Sequence, residues 1–82
     1  MSSAFVLLNC DLGTELTIIN ELNKIAGVSE ALRVSGIYDI VTKISGQSKE
    51  DVISLVRQIR GISSIRSSLT MIIAKDAEKS IE

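Results

Sequence analysis

The chain begins with an apolar run, Ala4-Phe5-Val6-Leu7-Leu8-Asn9-Cys10, bounded by Asp11-Leu12-Gly13. The run is too brief for a helix and predicts a buried strand. From Thr14 the period changes. Leu16, Ile18, Ile19, Leu22 and Ile25 recur at three- and four-residue spacing, with Glu15, Asn20, Glu21, Asn23 and Lys24 between them. This spacing predicts an amphipathic helix, capped by Thr14 and stopped by Gly27. Val28 to Ser35 alternates loosely and predicts a second strand, which Gly36 breaks; Tyr38 to Ile44 predicts a third. Ser48-Lys49-Glu50-Asp51 opens a second helix: Ser48 is placed to cap it, and Asp51 to reach back and to sit at the positive end of the helix dipole. Val52, Leu55, Val56 and Ile59 form its apolar stripe, and Gly61 ends it. Ser64 to Ala74 predicts the fourth strand. Residues 1–75 make a single domain, and 76–82 a short charged tail.

The order is strand, helix, strand, strand, helix, strand. An internal echo agrees with it: Ile25-Ala26-Gly27-Val28-Ser29 returns as Ile59-Arg60-Gly61-Ile62-Ser63. Both copies fall where a helix hands over to a strand, so each half is a split βαβ unit. The pair predicts a ferredoxin-like α+β sandwich, a four-stranded antiparallel sheet with two helices on one face. The strands, however, are apolar on both sides. Phe5 and Leu7 oppose Val6 and Leu8, while Leu69, Met71 and Ile73 oppose Ile72 and Ala74. Two helices cover only one face. A second copy of the chain on the other, packed about a two-fold axis, is the simplest cover, so a homo-oligomer is expected.

Composition narrows the function. Hydrophobic residues make up 45% of the 82 positions but aromatics only 2%, Phe5 and Tyr38. Single-stranded nucleic acid therefore finds no rings to stack on. A net charge of −1 leaves no basic footprint for duplex DNA. With one Cys and no His, neither a disulfide framework nor a zinc site can be built, and no cofactor is implied. No apolar run approaches a membrane span, and Met-Ser-Ser-Ala lacks the basic start of a signal peptide, so a reducing cytoplasmic location is expected. Nothing resembles a nucleophile elbow or a phosphate-cradling loop, and Asp11, Asp39, Asp51 and Asp76 are scattered. Cys10, at the end of an apolar strand, reads as a buried inert thiol. No catalytic residue is assigned, and the chain is not expected to be an enzyme.

One segment carries candidate binding chemistry: Val34-Ser35-Gly36-Ile37-Tyr38-Asp39. Gly36 permits a tight turn whose amide can face a carboxylate, and Asp39 can accept from an ammonium group. Together they suit a zwitterionic α-amino acid. Equally, Asp39 can simply finish a turn.

Ile25-Ala26-Gly27-Val28-Ser29-Glu30-Ala31, Val34-Ser35-Gly36-Ile37-Tyr38-Asp39-Ile40, Gly61-Ile62 and Ser68-Leu69-Thr70 together resemble the effector-binding (RAM) domain of the Lrp/AsnC family of transcriptional regulators. The similarity spans about residues 4–74, and Gly36-Ile37-Tyr38-Asp39 is its most specific element. It implies a ferredoxin-like domain that dimerises through its sheet, with dimers assembling into octamers or similar rings and amino-acid effectors binding between dimers. By position, the implied effector site comprises Gly36, Ile37, Tyr38 and Asp39 with Ser68 and Thr70 on the last strand; ordinary strand hydroxyls are the other reading of the last two. Family regulators carry an N-terminal helix-turn-helix, whereas Met1 here lies just before the first strand. The chain thus resembles the stand-alone form, expected to act on transcription as an allosteric module through a full-length regulator. The alternative is a small cofactor-independent enzyme of the dimeric α/β-barrel monooxygenase type, whose sites often use His, Asn, Trp or Tyr; the chain has no His or Trp. An ACT-like amino-acid-binding fold is a third possibility.

Overall fold

The structure, a computed structural model, describes residues 1–73. Its elements follow the predicted order: β1 (Ser2–Cys10), α1 (Glu15–Asn23), β2 (Val28–Arg33), β3 (Ile40–Gly46), α2 (Lys49–Arg60) and β4 (Ile65–Ile72). The strands form one antiparallel sheet in the order β2-β3-β1-β4, with β1 central between β3 and β4. With its two helices this is the ferredoxin-like arrangement. The predicted tail, 76–82, lies outside the described residues.

The strand period sets the core. Ala4, Val6 and Leu8 are fully buried against Ile40 and Ile44 of β3, Ile18 and Leu22 of α1, and Val52 and Ile59 of α2. Leu55 and Val56 pack at its margin, completing the predicted stripe of α2. Leu16 does not join the stripe of α1 and is 65% exposed. It precedes Ile18 by two residues, which places it about 200° round the helix. The alternate positions of the strands make the other face. Leu7 lies between Val41 and Leu69, and Phe5 between Lys43 and Met71; Leu32 continues the Val41 row onto β2. Leu32, Leu69 and Met71 are 50%, 45% and 46% exposed. This face is apolar, and no element among the described residues covers it.

The ends of the elements show where local rules were overridden. Ser48 caps α2 as predicted, its hydroxyl accepting from the Asp51 amide at 3.3 Å. The Asp51 carboxylate reaches back one residue further than a capping box, accepting from the Gln47 amide at 3.2 Å. Thr14 does not cap α1: its hydroxyl donates to the Asp11 carbonyl at 2.7 Å and so is spent on closing the β1–α1 turn. Helix α1 ends at Asn23, before Gly27. Gly27 instead makes the turn into β2 at φ +99°, where a Cβ would meet Leu55 at 2.7 Å and the Ser45 carbonyl at 3.1 Å. Gly61 caps α2 in ordinary right-handed geometry, so the two echoed glycines share a place in the fold and not a conformation.

Candidate functional site

The hairpin joining β2 to β3 is closed by the Val34 amide donating to the Asp39 carbonyl at 2.9 Å. Between them Gly36 takes φ +145°, outside the region L side chains favour, and Ile37 stands 88% exposed. Strand β2 therefore stops at Arg33, two residues short of its predicted end, and β3 is displaced by two residues, running from Ile40 to Gly46 where Tyr38 to Ile44 was expected. Asp39 is tied to β1 twice. Its amide donates to the Leu8 carbonyl at 2.9 Å, and its carboxylate Oδ2 accepts from the Cys10 amide at 3.0 Å. The side chain thus finishes a turn and is held in place through Oδ2, while Oδ1 has no hydrogen-bond partner among the described residues.

Strand β4 approaches the same place from the other side of β1. Its register slips there: Asn9 opposes Ser67 but Cys10 opposes Ile65, leaving Arg66 as the extra residue of a bulge. A bulge re-aims the side chains at its site. Asn9 Nδ2 donates to the Ser67 hydroxyl at 3.2 Å, and Arg66 Nε lies 3.8 Å from the Asp11 carboxylate. Asn9, Cys10, Ile37, Asp39, Arg66 and Ser67 line a cleft of about 460 Å³. Asn9 continues the face of Phe5 and Leu7, so the cleft opens at the hairpin end of the uncovered sheet face.

Of the residues singled out in the sequence, Ile37 and Asp39 line this cleft, and Gly36 and Tyr38 belong to the hairpin beside it. Ser68 and Thr70 are not among its lining residues. They pair with Leu8 and Val6, whose side chains point toward the helices. Asn9, Arg66 and Ser67 escaped sequence reasoning. Strict alternation groups Arg66 with Ser68 and Thr70, and only the bulge brings it beside Ser67.

The cleft holds one cationic and one anionic side chain with an amide and a hydroxyl between them, a set that binds zwitterionic or doubly polar molecules. It does not offer an activated nucleophile. Burial pushes the Cys10 thiol up, the neighbouring Asp39 and Glu15 carboxylates add to the shift, and the Thr14 hydroxyl only partly opposes it. Among the described residues no group of His, Cys, Asp and Glu is placed to hold a metal ion, and no helix is long and apolar enough to cross a membrane. A second cleft of about 330 Å³ lies at the other end of the sheet, where Gly27 and Gly46 pack against α2. Its carboxylate, Asp51, is already engaged by the Gln47 amide.

The family model described as the Lrp/AsnC ligand binding domain matches residues 3–80. The chain belongs to this family. Within it, the Lrp/AsnC domain is similar to a hypothetical protein of Pyrococcus horikoshii, with 29% identity, a TM-score of 0.86 and 90% of each chain covered. AsnC of E. coli shares the fold at 22% identity and TM-score 0.81, over 90% of this chain and 51% of that one. The domain is also 30% identical over 73 residues to homocitrate synthases of Saccharolobus islandicus and Saccharolobus solfataricus. It spans only 16% of the length of those enzymes.

Proposed function

We propose that this Lrp/AsnC ligand binding domain senses a small metabolite, an amino acid, and couples its binding to self-assembly. The carrying observation is the position of Asp39. One carboxylate oxygen is fixed by the Cys10 amide, the other is left to accept from an ammonium group, and Gly36 stands three residues before it. Effector contacts are assigned to Gly36, Ile37, Tyr38 and Asp39; Ser68 and Thr70, on the helix side, are left as strand hydroxyls.

Self-assembly rests on the uncovered face of Phe5, Leu7, Leu32, Val41, Leu69 and Met71. A second copy packed there buries it, and further contacts between dimers build an octamer or a similar ring. Because the cleft opens at the end of that face, a neighbouring copy reaches its rim. An effector that prefers one assembly then shifts the population by its differential affinity and no more. At a net charge of −1 the domain contributes no DNA electrostatics, so its effect on transcription runs through a full-length Lrp/AsnC-type regulator.

A thermal-shift panel of the twenty amino acids, with light scattering alongside, tests this reading. A ligand at 100 times its dissociation constant adds about 2.7 kcal/mol, which moves the midpoint of a domain this small by roughly 10 °C or more. No response to any amino acid overturns the effector assignment. The homocitrate synthase match favours a second reading, in which the same module serves a biosynthetic enzyme as its partner; co-sedimentation with such an enzyme only when an amino acid is present separates the two.

A further inference from the structure

We infer that Arg66 is the carboxylate anchor of the cleft, making the free acid group a condition of recognition. The inference rests on the amino-acid reading above and adds its second pole. Three observations carry it. First, the bulge leaves Arg66 unpaired with β1 and places it beside Ser67, on the cleft and away from the helix side that strand alternation assigns it. Second, its contact with Asp11 runs through Nε at 3.8 Å and its side chain is 72% exposed, so among the described residues neither terminal guanidinium nitrogen is engaged. Third, Asp39 lines the same cleft from the other side, immobilised through Oδ2.

A guanidinium binds a carboxylate as a planar two-pronged donor, which fixes orientation as well as charge. With Arg66 on the acid and Asp39 Oδ1 on the ammonium, an α-amino acid has only one way to lie, its side chain turned to the remaining lining. Asn9 and Ser67 line the same cleft and are joined to each other by a hydrogen bond at 3.2 Å. The site therefore selects against amines without an acid group and against carboxamides. Asp11 competes weakly with the incoming carboxylate and keeps the guanidinium near the cleft in its absence.

The test is isothermal titration of the whole chain with the L-amino acid that gives the largest thermal shift, and with that compound's primary amide. Wild-type protein should bind the acid at least about ten-fold more tightly than the amide. In Arg66→Gln that preference should fall to about one, while Asp39→Asn should weaken acid and amide together and keep their ratio. Because the ratio is taken within one protein, a general loss of stability does not mimic the result. An acid preference that survives Arg66→Gln, or wild-type protein that binds acid and amide alike, overturns the role of Arg66 and leaves the amino-acid reading standing. If no amino acid binds wild-type protein, both fall.

Discussion

The carboxylate of Asp39 accepts a hydrogen bond from the backbone amide of Cys10 at 3.0 Å, joining residues 29 positions apart. Asp39 is thus part of the sheet as well as part of the cleft, and a substitution there has two effects that must be separated.

Asp39→Ala should lower stability by about 1–2 kcal/mol, because it orphans a partly buried amide, and the melting midpoint should fall by roughly 4–15 °C. Asp39→Asn keeps an acceptor for Cys10 and should recover most of that loss while still weakening amino-acid binding. Melting curves of the two variants at one protein concentration check the first half, and titration the second. Equal destabilisation by both variants would show that the charge, and not the acceptor, holds the strand.

Substitutions on the uncovered face should change assembly before they change the fold. Leu69→Asp, at a position 45% exposed and opposite Leu7, should shift the sedimenting species toward the 8.9 kDa single chain. The circular dichroism spectrum should be retained. Wild-type protein that already sediments as one chain at micromolar concentration would remove the basis for assembly through this face.

The hydroxyl of Thr42 is fully buried opposite Val6 and Ala31 and has no hydrogen-bond partner among the described residues. Thr42→Val replaces that orphan with a methyl group and should raise stability by about 1 kcal/mol, read from urea unfolding. A loss of similar size would mean that the hydroxyl is satisfied in solution.

Glycines with positive φ should differ in their tolerance of a side chain. At Gly27 alanine meets both a strained backbone and Leu55, and Gly27→Ala should cost about 2–4 kcal/mol. Gly13, at φ +85° with nothing within 4 Å, should cost only about 1–2 kcal/mol for its backbone. Urea unfolding of both variants gives the order.

The raised Cys10 thiol makes stability depend on alkaline pH. Its folded-state proton is held more tightly than in the unfolded chain, so this contribution is intact below the ordinary thiol range, about 8.5, and fades as pH rises through the folded value. Stability should therefore decline as pH rises above the ordinary thiol value of about 8.5, and Cys10→Ala should flatten that decline. Iodoacetamide should modify the native thiol far more slowly than the unfolded one.

Element order, the ferredoxin-like class and the two apolar sheet faces were legible in the sequence because each follows from local periodicity: 3.6 residues for α1 and α2, two for the strands. The hairpin at Gly36 and the cap at Ser48 were legible for the same reason, since their chemistry lies within a few residues. Thr14 was misleading because its hydroxyl had a second acceptor, Asp11, equally near. Tertiary structure alone decided which polar groups share the cleft. Asn9 meets Ser67 across 58 residues, and the slip that frees Arg66 depends on how β4 registers against β1. Register between distant strands is set by the packing of the whole sheet on its helices, and no window along the chain contains it.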